Sequence, residues 1–325
     1  MLIFYIFTII IHWNEDKIRN KKSIEYSFIL NKILQGQIKP NLLNIPKKDK
    51  RYLRDLLLLK LNLSSKEEKE TIKSLYKIWG MEQDDINQLK SSRWWKKVEA
   101  LNKLEKMETS EAESLAIKLM ESKKSEVRYA ALKLLVSIKS KKIYPLIYNM
   151  FDSSSRWSYR YLVNILSNTN IPPPYLKLLA FSKKRDYRKA SAILLGGKGN
   201  ESALPLLEML ANDPIKDVRR ESIKSLGYIN TEKSQLIMAK HAEDQNYQIR
   251  AALAKAMSGY NNGSSFTLLE KLVEDEVFDV RLEAFYSLSK LGNQGKEIIE
   301  KYSNKYPNLA TEFLNKIEQD SKEEK

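Results

Sequence analysis

Apolar side chains return at helical spacing along most of this chain. Val218, Ser222, Ile223 and Leu226 fall at i, i+4, i+5 and i+8. The same spacing recurs in Ile249, Leu253, Ala254 and Met257, and again in Val280, Ala284, Phe285 and Leu288. Each set marks one face of a helix. Upstream of each lies another apolar helical stretch, such as Ala203–Leu210 or Leu268–Val273. The pattern predicts a unit of two antiparallel helices joined by a short turn. Gly227, Gly259, Gly292 and the pair Gly196-Gly197 sit just beyond the second helix, where C-caps are expected. No segment sustains period-two alternation, so no sheet is expected.

The units keep a fixed period. Arg219, Arg250 and Arg281 stand 31 residues apart, each after a Val or Ile. Arg188 lies another 31 back, Arg128 lies 60 before that, and Lys97 lies 31 earlier still. Tyr159 fills the gap between Arg128 and Arg188. Such a period marks a solenoid, in which each unit buries its apolar face against its neighbours. The expected fold is all-α: a solenoid of about seven two-helix repeats over residues 91–292.

The flanks read differently. Residues 1–22 form an apolar segment with a basic flank, 23–90 a helical N-terminal region, and 293–325 a C-terminal helical cap with a charged tail. Leu2 to Trp13 is apolar, and Lys17, Arg19, Lys21 and Lys22 follow it. Twelve residues are short for a membrane-spanning helix, which needs roughly 20. The segment reads as the end of an anchor, a short membrane-inserting stub, or a helix docked on the first repeats. Under the first two readings the adjoining cations hold the bulk of the chain on the cytoplasmic side. In residues 23–90, Ser65 and Glu68 form a capping box and Gly80 stops the helix it opens. The paired acids Glu67-Glu68 and Asp84-Asp85 are placed at helix starts, where they complement the dipole.

An Asp closing the first helix and a Val-Arg-x-x-Ala opening the second resemble HEAT repeats, in the short form of bacterial phycobilisome-lyase-like arrays. Asp213 with Arg219, Asp244 with Arg250 and Asp275 with Arg281, each six apart, carry the likeness. The resemblance implies that these residues form a structural ladder of charge-assisted hydrogen bonds between neighbouring units. Ser122 and Ser182 take the Asp position in earlier units, and Pro172-Pro173-Pro174 shortens another, so the ladder is expected to be incomplete and the solenoid bent there. The stretch Arg93 to Leu101 also resembles the first repeat of membrane-anchored bacterial HEAT proteins. The family implies a non-enzymatic scaffold whose second helices line a concave surface.

Charge adds a partner class. The chain carries a net +15, with 39 Lys/Arg against 20 Asp/Glu in residues 1–200 and 17 against 21 in the rest. Taking the arginine as position zero, Arg160, Lys189 and Arg220 stand at +1, and Lys133, Lys224 and Lys255 at +5. These positions lie one turn apart, away from the apolar face. The six residues form the expected partner-binding stripe, with Tyr129, Tyr161 and Tyr286 beside it. A basic, aromatic-lined face suits a protein partner, particularly an acidic one, and also an anionic membrane surface. The alternative is nucleic acid, as in HEAT-like alkylpurine DNA glycosylases, bound through the basic stretch 123–198. Of Trp94 and Trp95, one is expected in the core and the other at a surface, because successive residues lie about 100° apart around a helix; Trp157 is expected in the core.

Catalytic chemistry is sparse. No cysteine is present, and His12 and His241 are the only histidines. No nucleophile–base set, cofactor, metal site or small-molecule substrate is expected. Gly196-Gly197-Lys198-Gly199 lacks the spacing of a phosphate-binding loop and follows a helix.

Overall fold

The computed structural model describes residues 21–40, 43, 45–151, 158–167, 169–197 and 200–323, and every regular element among them is helical. Leu2–Trp13, Asp152, Trp157, Lys198 and Gly199 lie outside the described residues. The chain divides into two compact units, Met1–Ile143 and Tyr144–Lys325.

The first unit contains α1 (residues 21–34), α2 (Lys50–Leu61), α3 (Lys66–Ile78), α4 (Met81–Gln88), α5 (Trp94–Lys106), α6 (Glu113–Leu119) and α7 (Ser125–Ser137). Ser65 and Glu68 close a reciprocal capping box at the start of α3. α4 packs on α5, α6 on α7, and α5 on α7. Asp85 is not a dipole-complementing acid at a helix start. It is fully buried in the second turn of α4, where the Tyr76 hydroxyl donates to it and Arg54 Nε lies 3.1 Å away. Burial pushes its carboxyl above the ordinary aspartate range, against the hydrogen bond from Tyr76 and the charge of Arg54. The tryptophans also depart from expectation. Trp94 is 37% and Trp95 52% exposed, and their rings meet edge to face at 6.2 Å. Both stand in the first turn of α5, ahead of its buried stripe Ala100, Leu101 and Leu104.

The second unit contains α8 (Tyr144–Met150), α9 (Tyr159–Leu166), α10 (Pro173–Ala180), α11 (Arg185–Gly196), α12 (Leu204–Ala211), α13 (Lys216–Ile229), α14 (Glu232–Ala239), α15 (Tyr247–Ala256), α16 (Gly263–Val273), α17 (Phe278–Ser289), α18 (Gly292–Lys301) and α19 (Pro307–Glu323). Even-numbered helices from α10 to α16 are the first helices of pairs, and α11, α13, α15 and α17 are the second. The residues at −1, +3, +4 and +7 of α13, α15 and α17 are all buried. Burying a large aliphatic or aromatic side chain of this kind contributes roughly 1.5–3 kcal/mol. α19 closes the layer by laying Leu309, Ala310 and Phe313 against the pair before it. The array is an α-solenoid.

The arginines tie one pair to the next in a specific way. Arg188, Arg219 and Arg250 each send Nε and one terminal nitrogen to both oxygens of Asp213, Asp244 and Asp275, one repeat ahead. The other terminal nitrogen donates to the carbonyl six residues back, at Ser182, Asp213 and Asp244. Residues six apart therefore meet through the backbone, whereas the carboxylate–guanidinium fork spans 25 residues.

Each Asp also accepts from the amide two residues on, at Ile215, Asn246 and Val277. Ser122 and Ser182 have no carboxylate to offer, but their hydroxyls accept from the amides of Lys124 and Lys184 and their carbonyls from Arg128 and Arg188. At the far end Tyr306 stands 31 residues after Asp275, and the Arg281 guanidinium lies over its ring at 5.1 Å.

Two glycines assigned to C-caps serve packing instead. A Cβ on Gly227 comes within 2.8 Å of the Ala256 Cβ, and one on Gly196 within 2.4 Å of the Ser225 side chain. Gly227 lies inside α13, whose left-handed cap is Asn230 with φ 53°, and Gly196 is the last residue of α11, with Gly197 as its C-cap. Close approach of consecutive second helices explains them better than capping.

Candidate protein-interaction face

The spacing of the two layers decides which is inner. Consecutive second helices touch through Gly196, Ser225, Gly227 and Ala256, and the Ser287 hydroxyl donates to the Ala254 carbonyl. Consecutive first helices are bridged by long side chains instead: Lys240 to Glu208 at 2.8 Å, Lys271 to Glu243, and on to Lys305 with Glu274 at 2.6 Å. Methyl-sized contacts on one layer and lysine-length contacts on the other make the second helices the inner, concave side of this unit.

On that inner side one stripe of each second helix faces outward from the core. It runs through positions −3, +1, +5 and +9, one turn apart. On α13 these are Lys216, Arg220, Lys224 and Tyr228; on α15, Tyr247, Ala251 and Lys255; on α17, Phe278, Leu282, Tyr286 and Lys290. A groove of about 460 Å³ lies along them, lined by Arg220, Lys224, Tyr247, Gln248, Lys255 and Glu283 among others.

The six sequence-selected cations stand on α7, α9, α11, α13 and α15. Arg220, Lys224 and Lys255 line the groove together. Lys189 stands on α11 with its Nζ over the Tyr159 ring at 5.3 Å, and Arg160 is exposed on α9. Lys133 is exposed on α7, in the other unit. The groove is also acidic. Arg220 lies 3.4 Å from both Asp217 and Glu221, Lys224 3.3 Å from Glu221, and Lys255 3.5 Å from Glu283. Asp217 stands three residues before Arg220 and Glu221 three before Lys224, so these carboxylates meet the cations along α13, and Glu283 reaches Lys255 from the next second helix. A reading of Lys and Arg alone misses them.

At the end of the groove the cations gather again. Lys255, Lys290 and Lys316 bring their ammonium groups over the Tyr286 ring at 5.8, 4.4 and 5.0 Å. The hydrogen bond from Lys290, with the neighbouring ammonium charges, lowers the Tyr286 phenol below its ordinary range. Tyr228, Tyr247 and the acids Asp279 and Glu283 escaped the sequence reading. The tyrosines' signal was present, because −3 and +9 extend the same stripe by one turn each way, whereas the acids stand beside it at −2 and +2.

Among the described residues no cluster of His, Asp and Glu is placed to hold a metal ion. His241 is buried outside the groove, and burial lowers its pKa.

A family model of HEAT repeats matches residues 172–244, which hold α10 to α14 and the first two Arg–Asp forks. Those residues carry HEAT repeats. Two Kap121p mutant structures resemble the array at 13% identity, with TM-scores of 0.54 and 0.53, covering 88% and 85% of this chain and 36% of theirs. The chain thus spans about a third of the length of those proteins. An engineered protein is similar over 87% of this chain and 86% of its own, at 15% identity and a TM-score of 0.39. Human deoxyhypusine hydroxylase in complex with glycerol is similar over 83% and 96%, at 14% identity and a TM-score of 0.33. No curated protein matches the sequence. At these identities the likeness is one of fold.

Proposed function

We propose that this HEAT array is a non-enzymatic scaffold that binds a segment of another protein along the inner stripe of α13, α15 and α17. The observation that carries this reading is the alternation of charge in the groove. Arg220, Lys224 and Lys255 interleave with Asp217, Glu221 and Glu283, and tyrosines stand between them. A nucleic-acid backbone presents one sign of charge and is repelled by the carboxylates. A polypeptide can match both signs and stack on the rings. The basic excess of residues 123–198 supports the nucleic-acid alternative, but the groove-lining residues, Arg220 to Glu283, lie outside that stretch of sequence.

Photocrosslinking from Ala251, at the groove floor, tests the proposal. A partner protein captured there, and not from Leu236 on the first-helix layer, is the supporting result. Crosslinks to nucleic acid at Ala251, or a gel shift with a steep salt slope, overturn it.

The apolar run Leu2–Trp13 and the basic residues after it support placing the scaffold at the cytoplasmic face of a membrane. Among the described residues no helix is long and apolar enough to cross one, so the support comes from the sequence alone. If full-length protein fractionates identically with and without residues 1–22, the tether is wrong.

A further inference from the structure

The groove contains a built pocket with a definite chemistry. Between the C-terminal halves of α13 and α15 lies a cavity of about 250 Å³, lined by Lys224, Gly227, Tyr228, Ala252, Lys255, Ala256, Ser258 and Gly259. Its floor is almost free of side chain, because close helix contact requires small residues there. Gly227 sits where a Cβ meets Ala256, and a Cβ on Gly259 meets the Asn230 side chain at 3.2 Å. Tyr228 forms a wall and is 76% exposed, a large ring with little of its surface covered. By liquid volume the space corresponds to about eight waters, enough for one large side chain.

Charge around the mouth is directional. Lys224 and Lys255 stand at the rim. From Lys255 the cationic cluster continues to Lys290 and Lys316 over Tyr286. The neighbouring acids Glu221 and Glu283 pair with Lys224 and Lys255, but both ammonium groups stay substantially exposed and can exchange partners. An apolar anchor in the cavity therefore places its neighbouring residues against two to four ammonium groups.

Resting on the proposed groove, we infer that the Gly227–Gly259 pocket receives an aromatic or long aliphatic side chain of the partner. The same segment sets its acidic residues on Lys255, Lys290 and Lys316. The occupant is an acidic–aromatic peptide segment, and charge complementarity selects it. A buried aromatic anchor ringed by charge-matched contacts is the usual form of an interaction hot spot.

The probe is a fluorescein-labelled Gly/Ser peptide carrying one tryptophan flanked by glutamates, titrated by anisotropy against the full chain. Saturable binding is expected, weakened about tenfold by Tyr228→Ala and about tenfold by the pair Lys290→Glu and Lys316→Glu. All three residues are exposed or half-buried, so circular dichroism should show an unchanged fold. The peptide with lysines in place of glutamates should bind at least tenfold more weakly than the acidic one. Equal binding of the two peptides, or indifference to Tyr228→Ala, overturns the pocket assignment. Concentration-dependent self-association abolished by Tyr228→Ala makes a second copy the occupant and overturns the partner assignment. A protein crosslinked at Ala251 while the peptide results fail leaves the groove standing without this pocket. No crosslink at Ala251 removes both.

Discussion

Arg219 grips Asp244 across a repeat boundary, with Nε and a terminal nitrogen 2.9 and 3.1 Å from the two carboxylate oxygens. The same guanidinium donates at 3.0 Å to the carbonyl of Asp213, at the end of its own first helix. One side chain thus fixes both the turn within a repeat and the step to the next. Because the fork is planar and both groups are mostly buried, it is a geometric device as much as an electrostatic one.

Removing one partner strands the other. Arg219→Ala leaves the Asp244 carboxylate poorly compensated and should cost about 3 kcal/mol in urea denaturation. Arg219→Lys keeps the charge but loses the fork, and should cost about 1–2 kcal/mol. A double-mutant cycle with Asp244→Ala should give a coupling of about 2 kcal/mol. A coupling near zero shows that the fork is incidental.

Acid should loosen the same joints. Burial alone raises the carboxyls of Asp244 and Asp275, but hydrogen bonds from Arg219 and Arg250, and from the amides of Asn246 and Val277, hold both below the ordinary aspartate range. A folded pKa below the unfolded value of about 3.9 contributes stability that is fully present above that value. It is lost as pH falls through the folded value. The urea midpoint of wild type should therefore fall steeply below about pH 4, and Asp244→Asn should show a smaller fall from a lower starting point. An identical pH profile in the two proteins contradicts the assignment.

Gly227→Ala adds one methyl where the next helix leaves no room, 2.8 Å from the Ala256 Cβ. Overpacking of this kind costs about 1–3 kcal/mol. Ala256→Gly removes the opposing methyl and should recover part of the loss in the double mutant. If Gly227 were only a helix terminator, Ala256→Gly would give no rescue.

The repeat, its two helices and its buried positions were legible in sequence because helical periodicity and a 31-residue register are both local, repeated signals. The ladder was legible as a set of residues but not as a set of partners. Spacing suggested Asp213 with Arg219, whereas the fork joins Arg188 with Asp213, since only the folded array brings residues 25 apart together. Gly196 and Gly227 were misread, though Gly197 does cap α11, because a helix end and a close helix crossing both favour glycine, and only the neighbour distinguishes them. In the candidate face, counting cations found Arg220, Lys224 and Lys255 but missed their acidic partners. Trp94 and Trp95 carry no periodic signal, so their joint exposure could not be read from one sequence.

The bridges between first helices should behave unlike the inner forks. Lys240 with Glu208 and Lys305 with Glu274 are largely solvent-exposed, so water screens them and long side chains must be ordered to make them. Lys240→Ala or Lys305→Ala should change stability by less than about 0.5 kcal/mol, and added salt should erase even that. A loss of more than about 1 kcal/mol in either variant would mean that the outer layer, too, sets the step between repeats.

The last repeat lacks the next Asp, and its arginine is served differently. Arg281 donates to the carbonyls of Asp275 and Glu276, and its guanidinium lies over Tyr306, whose ring meets Phe285 edge to face at 6.2 Å. Tyr306→Phe keeps the ring and should be nearly neutral. Tyr306→Ala should cost about 2–3 kcal/mol, because the aromatic contact and the cation–π interaction go together. Tyr306→Asp places a carboxylate at the ladder position and should recover part of the loss seen with alanine. Full equivalence of the Asp and Ala variants in thermal denaturation would show that the ladder's geometry ends at Asp275, and that Tyr306 acts only as apolar cover.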